Sequence, residues 1–198
     1  MGLVLASTSP YRADLLRRLG VDFATVAPEF EESSRDELFA DTSDEDFALN
    51  LAVAKAHSIC GRFAEGWILA ADQIAVVSTP KRRLLHKPGS EAAAVEQLMS
   101  LAGREHGLVT AVVLMQVESG RYDSRTDRVV LKMRDFGRKE ASEYVRDYRP
   151  TDCVGSYRIE DAGIRLMESV SGADPTSIMG LPLMSVCELL RAQGLIPA

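Results

Sequence analysis

Residues 67–77 read WILAADQIAVV, and this stretch decides the fold. Nine apolar residues in a run of eleven describe a strand buried on both faces, as found at the centre of an α/β sheet. The two exceptions, Asp72 and Gln73, stand side by side. A carboxylate among apolar neighbours is costly unless it is paired, hydrogen-bonded or metal-bound. Asp72 is therefore the leading candidate for a catalytic group, expected at a strand's end. The competing reading is that the strand stops there, or that Asp72 caps a neighbouring helix.

Upstream, Leu3-Val4-Leu5-Ala6 reads as a short buried strand, followed by Ser7-Thr8-Ser9-Pro10-Tyr11-Arg12. Ser9 is a helix N-cap with proline at the first helical position, and Gly20 ends the helix. Hydroxyls and backbone N–H groups at a helix N-terminus suit an anion. Arg12 in the first turn opposes the helix dipole, a conflict that an anionic ligand would remove. A second helix is expected from Asp44 to Cys60, with Ser43 and Asp46 resembling a capping box and Gly61 as the stop. Lys55 lies on it among alanines.

Downstream, helices are expected over Ser90–Leu101, Lys139–Arg149 and from Pro182 to about Arg191. Val109–Val117 and Thr126–Phe136 read as a hairpin across Ser119-Gly120. Two short strands are expected around Gly155–Arg158 and Gly163–Met167. Strands and helices alternate early and strands dominate the middle, so the sheet should be mixed.

The 198 residues suffice for one domain, 1–198, or for two small lobes. With 46% hydrophobic and 26% charged residues the composition is that of a globular protein. The net charge of −6 is concentrated: Glu29 to Asp46 holds nine acidic residues and one basic residue, and is expected to be a loop. Binding to long nucleic acid is excluded, since the phosphate backbone requires a basic face. A small phosphorylated substrate is not. Cys60, Cys153 and Cys187 form neither CxxC nor a Cys/His cluster, which argues against zinc and disulfides and for a reducing compartment. His57, His86 and His106 lack ligand or triad spacing. No apolar run of 18 residues and no basic n-region appear, so no membrane span and a cytoplasmic location are expected.

Several of these features fall into one order. LASTSPYR resembles the opening signature of the Maf family. PEFEE resembles its acidic loop, ending here in Glu32, and LAVAKA its helix lysine motif, here Lys55. AADQ resembles its aspartate motif, here Asp72, and HKP its lysine loop, here Lys87. GADPTSIMGLP resembles its C-terminal signature, here Asp174 and Gly180 to Pro182. Ala13, His86 and Ala111 depart from the usual residues without removing a site residue.

The resemblance implies an α/β fold with a mixed, elongated sheet flanked by helices in two lobes around a central cleft, similar to the inosine triphosphate pyrophosphatases. It implies a nucleoside triphosphate pyrophosphatase that requires Mg²⁺ or Mn²⁺, with a homodimer as a family-level expectation. Ser7, Ser9, Arg12, Lys55 and Lys87 would hold phosphate. Glu32 and Asp72 would hold the metal, with Asp72 as general base. Tyr11, Gln73 and Glu160 stand where the branch acting on 7-methyl-GTP has its base-selecting residues. An aromatic face suits the cationic ring of 7-methylguanine, and a carboxylate accepts its N1–H and amine protons. The alternatives are a dTTP, UTP or broad modified-nucleotide pyrophosphatase, or a non-enzymatic nucleotide-binding regulator of cell division. The set Glu32, Lys55, Asp72 and Lys87 speaks against the last.

Overall fold

The computed structural model describes residues 2–30 and 32–197, and of 32–35 the backbone alone. The elements are β1 (Leu3–Ala6), α1 (Pro10–Arg17), β2 (Phe23–Val26), α2 (Asp44–Cys60), β3 (Trp67–Val77), β4 (Arg83–Leu85), α3 (Glu91–Leu101), β5 (Glu105–Gln116), β6 (Tyr122–Met133), α4 (Arg138–Tyr148), β7 (Met167–Ser171) and α5 (Leu183–Ala192). They divide into two compact units. The first comprises Met1–Gln73, Val109–Asp127 and Asp174–Ala198; the second comprises Ile74–Leu108 and Arg128–Ala173.

In the first unit the strand order is β2-β1-β3-β5-β6. β1 runs parallel to both β2 and β3, with Leu3 opposite Phe23 and Trp67 and Ala6 opposite Val26 and Ala70. A strand covered on both sides and both faces needs no polar positions, which is why LVLA is wholly apolar. α1 and α5 pack on one face: Leu15, Leu16, Val186, Leu189 and Leu190 meet Leu3, Leu5, Trp67, Leu69 and Ala71. Ala13 belongs to this core as well. Ser9 caps α1 by accepting the Arg12 N–H at 3.4 Å. α2 has the expected bounds, and Ser43 Oγ accepts the Asp46 N–H at 3.0 Å. The box is not closed in the usual way. Asp46, one methylene shorter than Glu, meets the Ser43 hydroxyl at 2.7 Å rather than the Ser43 N–H.

In the second unit the order is β4-β3-β5-β6-β7. β4 and β7 pair antiparallel with β3 and β6. α3 and α4 pack together and bury Ala94, Leu98 and Leu101 on one side and Ala141, Tyr144 and Val145 on the other.

Four expectations are corrected. β3 has the expected bounds, Trp67–Val77, but Asp72 stands inside it rather than at its end, because β4 pairs with Ala75–Val77. It is β1 that ends, at Ala6 opposite Ala70, and Asp72 lies two residues beyond that point. The segments near 155–158 and 163–167 are 3₁₀ turns, Val154–Ser156 and Gly163–Leu166, followed by β7. Gly155 and Ser156 have φ of 81° and 60°, which no strand accommodates. Within the acidic stretch, Glu32–Asp41 is 3₁₀ helix rather than loop. β2 and β4 are additional, and both are too short and too exposed to show a pattern.

Candidate active site

Asp72 and Lys55 form a buried ion pair in the first unit, only 3% and 6% exposed. β3 supplies the carboxylate and α2 the ammonium. The sequence singles out both, but in different roles and without a contact between them. Removing two ionised groups from water costs several kcal/mol each, and each offsets the other's desolvation. A lysine that resembles a solvated helix residue is thus buried and paired with the β3 carboxylate.

Beside this pair, the turn after β1 is built from serine hydroxyls. Ser7 Oγ accepts the Ser9 N–H at 3.1 Å, and Ser9 Oγ accepts the Arg12 N–H. Both oxygens therefore accept within the turn, which leaves their O–H groups to donate to an anion. Arg12 resolves its conflict with the helix dipole through backbone carbonyls. Its Nε donates to Gly180 O at 2.8 Å and its Nη1 to Ala71 O at 2.7 Å. Ala71 lies just past the end of β1 pairing, so Arg12 takes a carbonyl that the sheet edge leaves open.

Gln73 does not join Asp72. Successive strand residues point to opposite faces, and Trp67, Leu69 and Ala71 pack with α1 and α5 while Asp72 meets α2. Gln73 is on the α1/α5 side. Its amide donates to Thr110 Oγ1 at 2.8 Å and to Ser177 O at 2.7 Å. Its side chain therefore leaves β3 on the face opposite Asp72.

Tyr11, the second residue of α1, is half-buried. The side chain of Glu32 lies outside the described residues. Lys87 and Glu160 belong to the second unit and both are exposed. Glu160 occupies a turn, residues 159–162. Loss of hydration there holds its carboxyl above the usual glutamate value, with Asp161 adding to the effect. One residue that sequence reasoning missed links these segments. Gln97 on α3 donates to His86 O at 3.0 Å, next to Lys87, and accepts from Ser156 Oγ at 2.6 Å, four residues before Glu160. No motif marks it, since an exposed-looking glutamine in a helix carries no signal.

The C-terminal signature has a folding role. Pro182 cannot cap α5 with its side chain, so distant residues do so. Asp174 accepts the Met184 N–H at 2.7 Å and the Thr176 N–H at 2.8 Å, and Thr176 Oγ1 accepts the Leu183 N–H at 2.8 Å.

Among the described residues, no three His, Cys, Asp or Glu side chains gather as a metal site, and no helix is long and apolar enough to cross a membrane. A cavity of about 470 Å³ in the first unit, lined by Trp67, Gln116, Arg121, Tyr122 and others, holds none of the sequence-predicted site residues.

The chain resembles proteins named 7-methyl-GTP pyrophosphatase. The one from Albidiferax ferrireducens is 36% identical over 193 residues, covering 98% of this chain and 94% of the relative. The one from Hahella chejuensis is 35% identical over 193 residues, with the same coverage. The solved Ham1 protein of Staphylococcus aureus aligns over 98% of this chain and 97% of that chain, with a TM-score of 0.49 and 15% identity. The profile of the family described as Maf-like protein matches residues 2–193, and the chain belongs to that family.

Proposed function

We propose that this protein hydrolyses 7-methyl-GTP to 7-methyl-GMP and pyrophosphate. The observation that carries the reading is the buried Lys55–Asp72 ion pair, set on a family background whose relatives bear that activity in their names. Ser7, Ser9, Arg12, Lys55 and Lys87 bind the triphosphate. As its negative charge arrives, the Lys55 ammonium shifts its bonds toward phosphate, and an Asp72 oxygen is released to accept a proton. A water then loses that proton and attacks the α-phosphorus, and pyrophosphate leaves. Tyr11 stacks on the base, Glu160 accepts its N–H protons, and Gln73 takes part in selecting it.

The residues fit a divalent cation. Asp72 is a hard oxygen donor that already holds one cationic partner, and Mg²⁺ is commonly held by one or two carboxylates together with substrate phosphates. Asp72 and Glu32 would hold Mg²⁺ or Mn²⁺. When bound, the ion neutralises charge on the phosphates. We place the reaction in the cytoplasm and expect a homodimer from the family resemblance.

The test is product analysis on the purified full-length protein with 7-methyl-GTP. Pyrophosphate and 7-methyl-GMP are expected, with loss of activity in EDTA and recovery with Mg²⁺ or Mn²⁺. Orthophosphate as the first product would place the cleavage at another bond and overturn the reading.

A further inference from the structure

We propose that Thr110 and the main-chain carbonyl of Ser177 are positioning groups for Gln73, fixing its amide so that Oε1, and not Nε2, is offered to the substrate base. This rests on the reading of Gln73 as one of the residues that select the base.

All the groups involved lie in the first unit. Gln73 Nε2 donates to Thr110 Oγ1 at 2.8 Å and to Ser177 O at 2.7 Å. A primary amide has two N–H hydrogens, so both are used. The Thr110 hydroxyl donates to Ser177 O at 3.5 Å, which leaves the lone pairs of Thr110 Oγ1 to accept from Gln73. Ser177 O also accepts the Gly180 N–H at 2.9 Å, and the Ser177 hydroxyl donates to Asp127 on β6. The carbonyl is thus held by its own 3₁₀ turn, Ser177–Met179, and that turn is tied to β6.

These partners decide which way the amide points. The two ends of a glutamine amide have nearly the same shape and are told apart by their bonds. A hydroxyl alone would suit either end, because it both donates and accepts. A carbonyl oxygen only accepts. With the amide reversed, Gln73 Oε1 would face Ser177 O with no proton between them, and Thr110 would have to give up its bond to Ser177 O to donate to Gln73. Thr110 and Ser177 are fully buried, so no water relieves that mismatch. The other end of the amide is open. Gln73 is only partly buried, and its Oε1 has no partner among the described residues. Nor is it one of their buried unpartnered polar atoms, which are Trp67 Nε1 and His106 Nδ1, so Oε1 reaches solvent. Gln73 also shares its face of β3 with α1, whose second residue is Tyr11.

A fixed acceptor selects where a turning amide does not. N1 and the exocyclic amine of guanine, methylated at N7 or not, offer only donors. Uracil offers a single N–H between two carbonyl oxygens, and an acceptor is repelled by both. A mobile amide would turn Nε2 toward those oxygens and bind either base. Holding Nε2 against the protein removes that option and supplies the repulsive element that specificity needs.

The experiment has two arms. In the free wild-type protein, the side-chain amide hydrogens of Gln73, assigned through bonds in nitrogen–proton correlation spectra, are expected to exchange with water about tenfold or more slowly than those of free glutamine. In the second arm, kcat/KM for 7-methyl-GTP, GTP and UTP is measured with Thr110→Val, Thr110→Ser, Gln73→Ala and the double variant Gln73→Ala with Thr110→Val. Thr110→Val is expected to lower the preference for both guanine nucleotides over UTP by about fivefold, the weight of one hydrogen bond. Thr110→Ser, which keeps the hydroxyl, should restore it. In the Gln73→Ala background, Thr110→Val should change the preference no further. Exchange in the wild type as fast as in free glutamine would put Nε2 in solvent and overturn the proposal, and this arm needs no variant to fold. An unchanged preference in folded Thr110→Val, or an equal shift with and without Gln73, would overturn it as well. Should Gln73→Ala lower all three substrates alike, the base-selecting reading of Gln73 is what fails.

Discussion

Lys55–Asp72 in the first unit and His106–Tyr157 in the second are both buried polar pairs, and the two solve the same problem in opposite ways. In the first unit, Lys55 and Asp72 are buried as a salt bridge. In the second, His106 and Tyr157 are buried as neutral partners, with His106 Nε2 2.7 Å from the phenol oxygen and the rings edge to face. Burial drives the His106 pKa down to about 4 and pushes the Tyr157 phenol far up, so neither carries charge near neutrality. His106 Nδ1 has no partner among the described residues. A neutral pair is the cheaper way to fill a core with polar groups. A buried ion pair costs more, and in the proposed reaction its charges act on the substrate.

The largest expected effect comes from removing charge from the first pair. Asp72→Asn should lower kcat by about 10²–10⁴-fold, the loss of a positioned general base. The near-identical shape of Asn would suggest an intact fold, but the geometry says more: Lys55 is left as a buried charge without its counter-ion. A stability loss of about 3–5 kcal/mol should accompany the loss of rate. The double variant Lys55→Met with Asp72→Leu should recover that stability while remaining inactive. Urea denaturation beside the rate assay checks both. If the double variant is no more stable than Asp72→Asn, the two residues are not coupled.

The second pair should respond to pH in stability rather than in rate. The His106 pKa falls from 6.5 in the unfolded chain to about 4 in the folded protein. Its contribution is therefore complete above about pH 6.5 and is lost as pH falls toward 4, because only the unfolded chain takes up the proton in that window. The full span is worth about 3 kcal/mol. His106→Phe should flatten this part of the stability–pH curve, measured as the difference from wild type between pH 4 and 7. Tyr157→Phe should cost about 1–3 kcal/mol at pH 7, since it leaves His106 Nε2 buried without a partner, with kcat unchanged. A fall in kcat in either variant would erase the contrast between the two pairs.

The contrast is half legible in the sequence. Asp72 stands out because a carboxylate inside WILAADQIAVV has to be explained. α2 is readable to the residue because its stops are local: Ser43 at one end and Gly61 at the other. Lys55 gives no such signal. Its neighbours are alanines, and only the contact across 17 positions of sequence shows that it is buried. The region from 154 to 166 misleads for the same reason. Its shape is set from a distance, by Tyr144 donating to Arg158 O at 3.5 Å and accepting the Arg158 N–H at 3.0 Å, and by Gln97 holding Ser156. The family signature locates Asp174, but its bonds to three donors at the start of α5 and the preceding turn follow only from the folded loop.

The smallest effect is expected where charge is exposed, at Glu160. Its carboxyl sits above the ordinary glutamate value, so it binds a proton more readily than a free glutamate. A cationic ring favours the ionised form, and protonation removes that attraction. As pH falls through this raised value, KM for 7-methyl-GTP should rise while KM for UTP, whose ring is neutral, should stay nearly constant. Glu160→Gln should abolish the difference in pH response. It should also cost about fivefold on 7-methyl-GTP at pH 7.5, since an exposed charge interaction is worth about 1 kcal/mol or less. This is far below the effect at Asp72, because water screens Glu160 and is excluded from Asp72. The comparison is a pair of KM–pH profiles, one per substrate, for wild type and variant. Parallel profiles in the wild type would mean that Glu160 does not face the base. A loss as large as that of Asp72→Asn would mean that Glu160 becomes buried when substrate binds, and exposure in the free protein would then no longer separate the weak site from the strong one.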